Sequence, residues 1–205
     1  MKRANWLLLA VTVSVAGLWR VGHSTTLLHR TLKALAENAE RIFVGKCIAV
    51  REGELVFTEG KIYYTEYTFE VTHKIKGHLR ETLTFRQYGL AQPRQVGENV
   101  MLFNRVPGLP VYEEQQEYLL FMNGDSELGL TSPVGLFQGA FRVAVDVYGR
   151  KVAMNGLENR GLFRDVEVTR LTKRPLTEAE SQLIQQVSGP MLLNDLISVV
   201  QKVMD

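Results

Sequence analysis

Residues 39–50 read AERIFVGKCIAV, residues 64–77 read YTEYTFEVTHKIKG and residues 82–89 read TLTFRQYG. The middle run alternates: Tyr67, Phe69, Val71 and Ile75 fall on one face, and Glu66, Thr68, Glu70, Thr72 and Lys74 on the other. A period of two marks a half-buried antiparallel strand. The first run is apolar on both faces, with Ile42, Val44, Ile48 and Val50 against Phe43, Gly45, Cys47 and Ala49. A strand covered from both sides belongs in the middle of a sheet, and its small residues imply a closely packed neighbour. Leu83 and Phe85 share a face in the third run. Three successive strands of one sheet are therefore expected, with Glu52 to Gly60 as a polar connection between the first two.

Upstream, Thr25-Thr26 can cap a helix in which Leu28, Leu32, Leu35, Ala36 and Ala39 recur at helical spacing. Downstream, Leu90 to Gln116 is irregular, with Val100 to Phe103 as a short apolar run. Tyr118 to Met122 reads as a strand ended by an Asn123-Gly124-Asp125 turn. Phe137, Gly139, Phe141, Val143 and Val145 alternate next, and Tyr148-Gly149 and Asn155-Gly156 turn the chain on either side of Lys151-Val152-Ala153. The last fifty residues change character. Thr177 with Glu180 forms a capping box, Gly189-Pro190 interrupts, and Leu193, Leu196, Ile197, Val200 and Val203 make one apolar helical stripe. The expected class is mainly β with flanking helices: a small antiparallel barrel with an N-terminal helix and a C-terminal helical extension.

The N-terminus reads as an export signal. Lys2-Arg3 is followed by an uncharged apolar run from Trp6 to Leu18, and Gly22 and Ser24 occupy the −3 and −1 positions of a cut before Thr25. A cut after Gly17 is the alternative. The apolar run falls short of the ~20 residues that span a bilayer, so no stable membrane span is expected after cleavage. The implied organisation is a signal peptide over 1–24, a helix plus barrel over 25–155 and a helical extension over 156–205. The product is exported, periplasmic or extracellular.

The formal charge is +2, but without Lys2, Arg3 and Arg20 the balance becomes 21 basic against 22 acidic residues. No basic footprint for nucleic acid is left, and Lys173-Arg174 reads as a solvated loop. Cys47 is the sole cysteine, so intramolecular disulfides and cysteine-rich zinc sites are excluded. The usual signatures of zinc proteases, nucleophile elbows and phosphate- or dinucleotide-binding loops are absent.

Two residues invite a chemical reading. His73 occupies the apolar register between Val71 and Ile75, next to the strand of Cys47, where the two would pair as base and nucleophile. The structural alternative, a rim or core histidine beside a packed thiol, is favoured. His78 with Glu81, and Glu113-Glu114 with Glu117, lack the Asp- and Gly-rich loop that calcium needs. Glu66 and Glu70 share a face with Lys74 and Lys76, as solvent-side cross-strand pairs do. Tyr63, Tyr64 and Tyr88 are candidates for a binding surface, because small barrels use one face or mouth. No catalytic set, cofactor or metal is expected.

The order helix, AERIFVGKCIAV, a tyrosine-bearing strand ending in KIKG, then LTFRQYG, resembles the N-terminal module of tissue inhibitors of metalloproteinases and netrin-type modules. That resemblance covers Ala39 to Gly89 and implies an oligonucleotide/oligosaccharide-binding-type (OB-like) barrel. The inhibitors reach a protease zinc through an N-terminal cysteine. Here the expected mature N-terminus is Thr25 and Cys47 lies within a strand, so only the fold carries over. Over most of the mature chain the sequence also resembles a group of uncharacterised exported bacterial proteins. The shared features are Pro107-Gly108-Leu109-Pro110, the Glu117 to Met122 strand, Gly139 to Val143 and a C-terminal helix opened by Gly-Pro. The expected function is a non-enzymatic binding or accessory module that contacts another exported protein, such as a protease. The alternatives are a hydrolase-type enzyme whose site gathers scattered residues, and a structural envelope component.

Overall fold

The computed structural model describes residues 28–98, 100–102, 106–164 and 174–204. The apolar N-terminal run, both candidate cleavage sites and the Thr25-Thr26 cap lie outside these residues, as do Phe103 and Lys173. The first helix, α1 (Leu32–Asn38), is capped by Thr31, whose hydroxyl accepts from the Ala34 amide. Leu28 precedes it and is exposed, so it is not part of the buried helical stripe.

Strands β1 (Arg41–Phe57), β2 (Gly60–Lys76), β3 (Thr82–Tyr88), β6 (Glu117–Met122), β7 (Ala140–Val145), β8 (Lys151–Asn155) and β9 (Met191–Leu192) form one antiparallel sheet in the order β3-β2-β1-β6-β7-β8-β9. A separate hairpin joins β4 (Arg94–Gly97) to β5 (Val100–Leu102). Helices α2 (Glu178–Gln185) and α3 (Leu193–Met204) complete the chain. The mainly β class with flanking helices is what forms. Barrel closure is not: β3 and β9 are the two sheet edges, at opposite ends of the strand order. Two β9 residues are too few to reach around to β3, and the ends of the sheet are covered instead by helix and loop.

Two cores lie on opposite faces. The helix side gathers Ile42, Val44, Leu119, Phe121 and Phe141 with Leu35 of α1 and Leu196 and Val200 of α3. The other side gathers Phe43, Cys47, Tyr67, Phe69, Phe85, Tyr118 and Leu120 around Tyr112, which arrives from the connection before β6. The central, doubly buried position expected for the AERIFVGKCIAV strand is thus observed, with β1 between β2 and β6. The C-terminal segment is part of this sheet. Met191 and Leu192 pair with Ala153 and Val152 before α3 begins, so Gly189-Pro190 leads into a short strand rather than directly into a helix.

Irregularities in the β1–β2 ladder change which face several residues reach. Ile48 is an extra residue in β1, because Cys47 pairs with Phe69 and Ala49 with Thr68. It is therefore exposed, and Val50 turns to the aromatic core. Thr72 is extra in β2, because Gly45 pairs with Val71 and Val44 with His73. The strict alternation read from Tyr67 to Ile75 breaks there: His73 is exposed, and Ile75 packs on the helix-side core. One inserted residue moves everything beyond it to the opposite face. The acidic face also finds other partners than expected. Glu66 pairs with Arg86, Lys74 pairs with Glu81, and Lys76 Nζ donates to the Ala36 carbonyl.

Candidate functional site

The Glu52 to Gly60 segment is not a loop. β1 and β2 continue as a paired arm to a tight turn at Thr58-Glu59, past Lys46, where pairing with β6 stops. Leu55, Val56 and Phe57 opposite Ile62 and Lys61 supply strand-forming residues, and Glu54 pairs with Lys61 at 2.9 Å. Gly53 sits opposite Tyr64, and a Cβ there would lie 2.4 Å from the Tyr64 ring. The glycine lets that ring lie across the neighbouring strand, which fills the gap left by the missing side chain.

Pairing divides the arm's side chains between its faces. Val50, Glu52 and Glu54 lie opposite Tyr67, Thr65 and Tyr63, so these six share the face that continues the aromatic core outward. Two connections fold back over it. In the first, Gly89 takes φ +94°, its amide donates to the Tyr63 carbonyl at 2.9 Å, and its carbonyl accepts from Thr65 Oγ1 at 2.8 Å. A left-handed φ of this kind is where glycine is favoured. The Gln92 amide then donates to Glu52 Oε1, and the Arg94 guanidinium lies 5.8 Å from the Tyr63 ring centre. In the second connection, the Val50 amide donates to Glu114 Oε1 at 3.0 Å, the Gln115 amide to the Cys47 carbonyl at 2.7 Å and Gln87 Nε2 to the Pro110 carbonyl at 2.7 Å.

Between these walls lies an open groove of about 590 Å³, with Val50 and Tyr112 among its lining residues. Its size falls within the range of roughly 300–1,000 Å³ found for small-molecule sites. Glu52, Glu113 and Glu114 face Arg94 across it, and Glu113 is engaged by Arg142 at 2.9 Å. Gln115 holds the wall in a left-handed conformation, φ +67°, which a non-glycine residue adopts only under constraint. Main-chain donors thus fix two of the groove carboxylates, Glu52 and Glu114, each through one oxygen.

The expected tyrosine surface splits in two. Tyr63 belongs to the rim of the groove. Tyr64 and Tyr88 are directly paired on the opposite face, where Arg86 stacks over Tyr64 at 4.8 Å and bonds Glu66 at 3.0 Å. The groove residues Glu52, Arg94 and Glu114 had no sequence signal beyond that of a solvated connection.

Cys47 and His73 do not form a pair. Cys47 belongs to the aromatic core, whereas His73 is exposed opposite Val44, whose side chain enters the helix-side core. Burial is the main influence on the Cys47 thiol; against a weak contact to the Ala49 carbonyl it pushes the pKa up to about 11. Since the thiolate is the reactive form, iodoacetamide is expected to leave Cys47 unmodified in the folded protein and to label it fully in denaturant, as read by mass spectrometry. Rapid native labelling would show that the core opens. Among the described residues no group of three His, Cys, Asp or Glu side chains is placed to hold a metal ion, and no helix is long and apolar enough to cross a membrane. The Glu113 to Glu117 run is instead spent on Arg142, the Val50 amide and, through Glu117, on Lys151 and Thr72.

No family model, curated protein or solved structure matches this chain. The geometry has to carry the functional reading alone.

Proposed function

We propose that the chain is an exported, non-enzymatic binding module and that the groove beneath the β1–β2 arm receives a segment of another exported protein, a protease being one candidate. The observation that carries this reading is the preformed groove. Its walls are tied to the arm by the Gln92–Glu52, Val50–Glu114 and Thr65–Gly89 hydrogen bonds, so little ordering cost is left for binding. Its lining also mixes apolar surface from Val50, Pro93 and Tyr112 with a few charged groups, the composition of a recognition site. Export rests on the basic and apolar N-terminal run. The inhibitor-like OB-type relationship belongs to the same proposal, and supplies a precedent for fold rather than for chemistry.

The test is site-specific photocrosslinking in cells that export the protein. A photoreactive residue at Ala91, in the groove, is expected to give one discrete adduct, and one at Thr84, on β3, is expected not to. Introducing Val50→Arg should abolish the Ala91 adduct while leaving the protein folded. Adducts that are absent, identical at both positions or indifferent to Val50→Arg would overturn the groove as the contact site.

A further inference from the structure

A second concavity lies away from the arm, where the Asn155–Arg164 turn meets the end of α2. Two neighbouring clefts, of about 270 and 390 Å³, share Arg160 and Arg164 in their linings. The smaller also has His29 and Glu158, and the larger has Phe163, Ile184 and Val187.

The turn that builds them is held from below. Asn159, fully buried, donates through Nδ2 to the Ala153 and Gly189 carbonyls, and its Oδ1 accepts from the Asn155 amide. Asn155 Oδ1 accepts in turn from the Leu157 and Asn159 amides. Glu158 and Asn159 are both left-handed, at φ +55° and +59°. Two consecutive non-glycine residues in that region are costly, and persist where surrounding bonds over-determine them. Gly161 is left-handed too, and a Cβ on it would lie 2.8 Å from His29 Nε2. The His29 ring meets the turn there, Nε2 donating to the Arg160 carbonyl at 2.9 Å.

The charges on this frame are unevenly matched. Arg160 is paired with Glu158 at 2.6 Å, whereas the Arg164 guanidinium has no hydrogen bond or ion pair among the described residues. One uncompensated cation remains, at the boundary between a polar cleft and an apolar one. We infer that the paired clefts bind a small amphipathic monoanion, with its carboxylate on the Arg164 fork and its apolar body against Phe163, Ile184 and Val187. A planar guanidinium matches a carboxylate with two parallel hydrogen bonds. Glu158 opposes a second negative charge, which disfavours a dianionic head. This site is independent of the groove beneath the arm.

Octanoate is the probe, titrated into the intact protein and followed by backbone amide shifts in two-dimensional NMR. Saturable shifts confined to Gly156, Gly161 and Val187 and their neighbours are expected. Octylamine should produce none, and octyl phosphate should bind more weakly than octanoate. Arg164→Gln is expected to weaken octanoate about tenfold, the worth of one charge-assisted contact. Val187→Asp should weaken it as well, and both positions are exposed enough for the variants to fold. The proposal is overturned by shifts that do not saturate or centre elsewhere. It is equally overturned by octylamine binding as well as octanoate, by tighter octyl phosphate, or by an Arg164→Gln protein that binds unchanged.

Discussion

Phe69→Ala is expected to lower stability by about 4 kcal/mol, the range for truncating a fully buried aromatic residue. The reason is its position at the centre of the aromatic core. Its ring stacks on Phe85 at 5.6 Å and meets Phe43, Tyr112 and Tyr118 edge-on at 5.9, 5.4 and 6.1 Å. Such aromatic pairs add about 0.5–1.5 kcal/mol each beyond area burial, so the loss exceeds that of an isolated side chain. Tyr112 has no strand of its own and relies on these rings to stay seated over the sheet. Denaturant unfolding followed by tryptophan-independent far-ultraviolet dichroism is the measurement, with a lower midpoint and an unchanged slope expected. A loss below about 1 kcal/mol would mean that the core collapses around the cavity and that the ring packing matters little.

The second large effect is predicted at Glu180, 2% exposed, where α2 is tied to α3. Its carboxylate accepts from Lys202 Nζ and Ser198 Oγ, each at 2.5 Å, and from the Thr177 amide at 2.6 Å. Burial by itself pushes the carboxyl pKa up; the Lys202, Ser198 and Thr177 donors outweigh it and hold the group at about 2 rather than 4.5. A carboxylate depressed in the folded state contributes stability that is fully present above its ordinary value and is lost as pH falls toward the folded one. Acid sensitivity between pH 4.5 and 2 is therefore expected to flatten in Glu180→Gln. At pH 7 the same variant should lose about 3 kcal/mol, because Lys202 is left largely buried without its counter-ion. The double change Glu180→Leu with Lys202→Met should recover much of that loss, since replacing both members of a buried pair by apolar groups is often neutral. Melting temperature against pH for the three proteins decides it. A single variant that keeps the acid slope of the parent would remove Glu180 from the explanation.

How far the sequence could be read differs from element to element. Phe43 and Val44 were legible as opposite faces of one central strand because burial on both sides leaves no polar residue in the run. The Thr177–Glu180 capping box was legible because it is local, and both reciprocal bonds form. The α3 stripe was legible because its period is that of a helix: Leu193, Leu196, Ile197 and Val200 are all buried. His73 was misplaced because one extra residue, Thr72, is invisible in a pattern of alternating side chains and yet reverses every face beyond it. The arm was missed because Arg51, Glu52, Glu54 and Glu59 look like loop composition, while the contacts that hold it extended, Gly53 under Tyr64 and Arg94 over Tyr63, link distant positions. Tyr112 carried no signal in an irregular connection, although it seals one core. Closure into a barrel could not be judged either, since it depends on strand tilt and length rather than on any residue type.

The two-residue strand β9 and the helix that follows it bear on the order of events during synthesis. Phe121, Phe141 and Val143 emerge early, but the α3 residues that help to shield them, Leu196 and Val200, lie within the last ten positions of the chain. A nascent polypeptide can pair β1 with β2 while still growing, as local hairpins form in microseconds. It has no complete cover for the helix side until translation ends. The fold is thus committed at its final turn, and a chain shortened by a dozen residues would present a bare sheet face to whatever handles incomplete products.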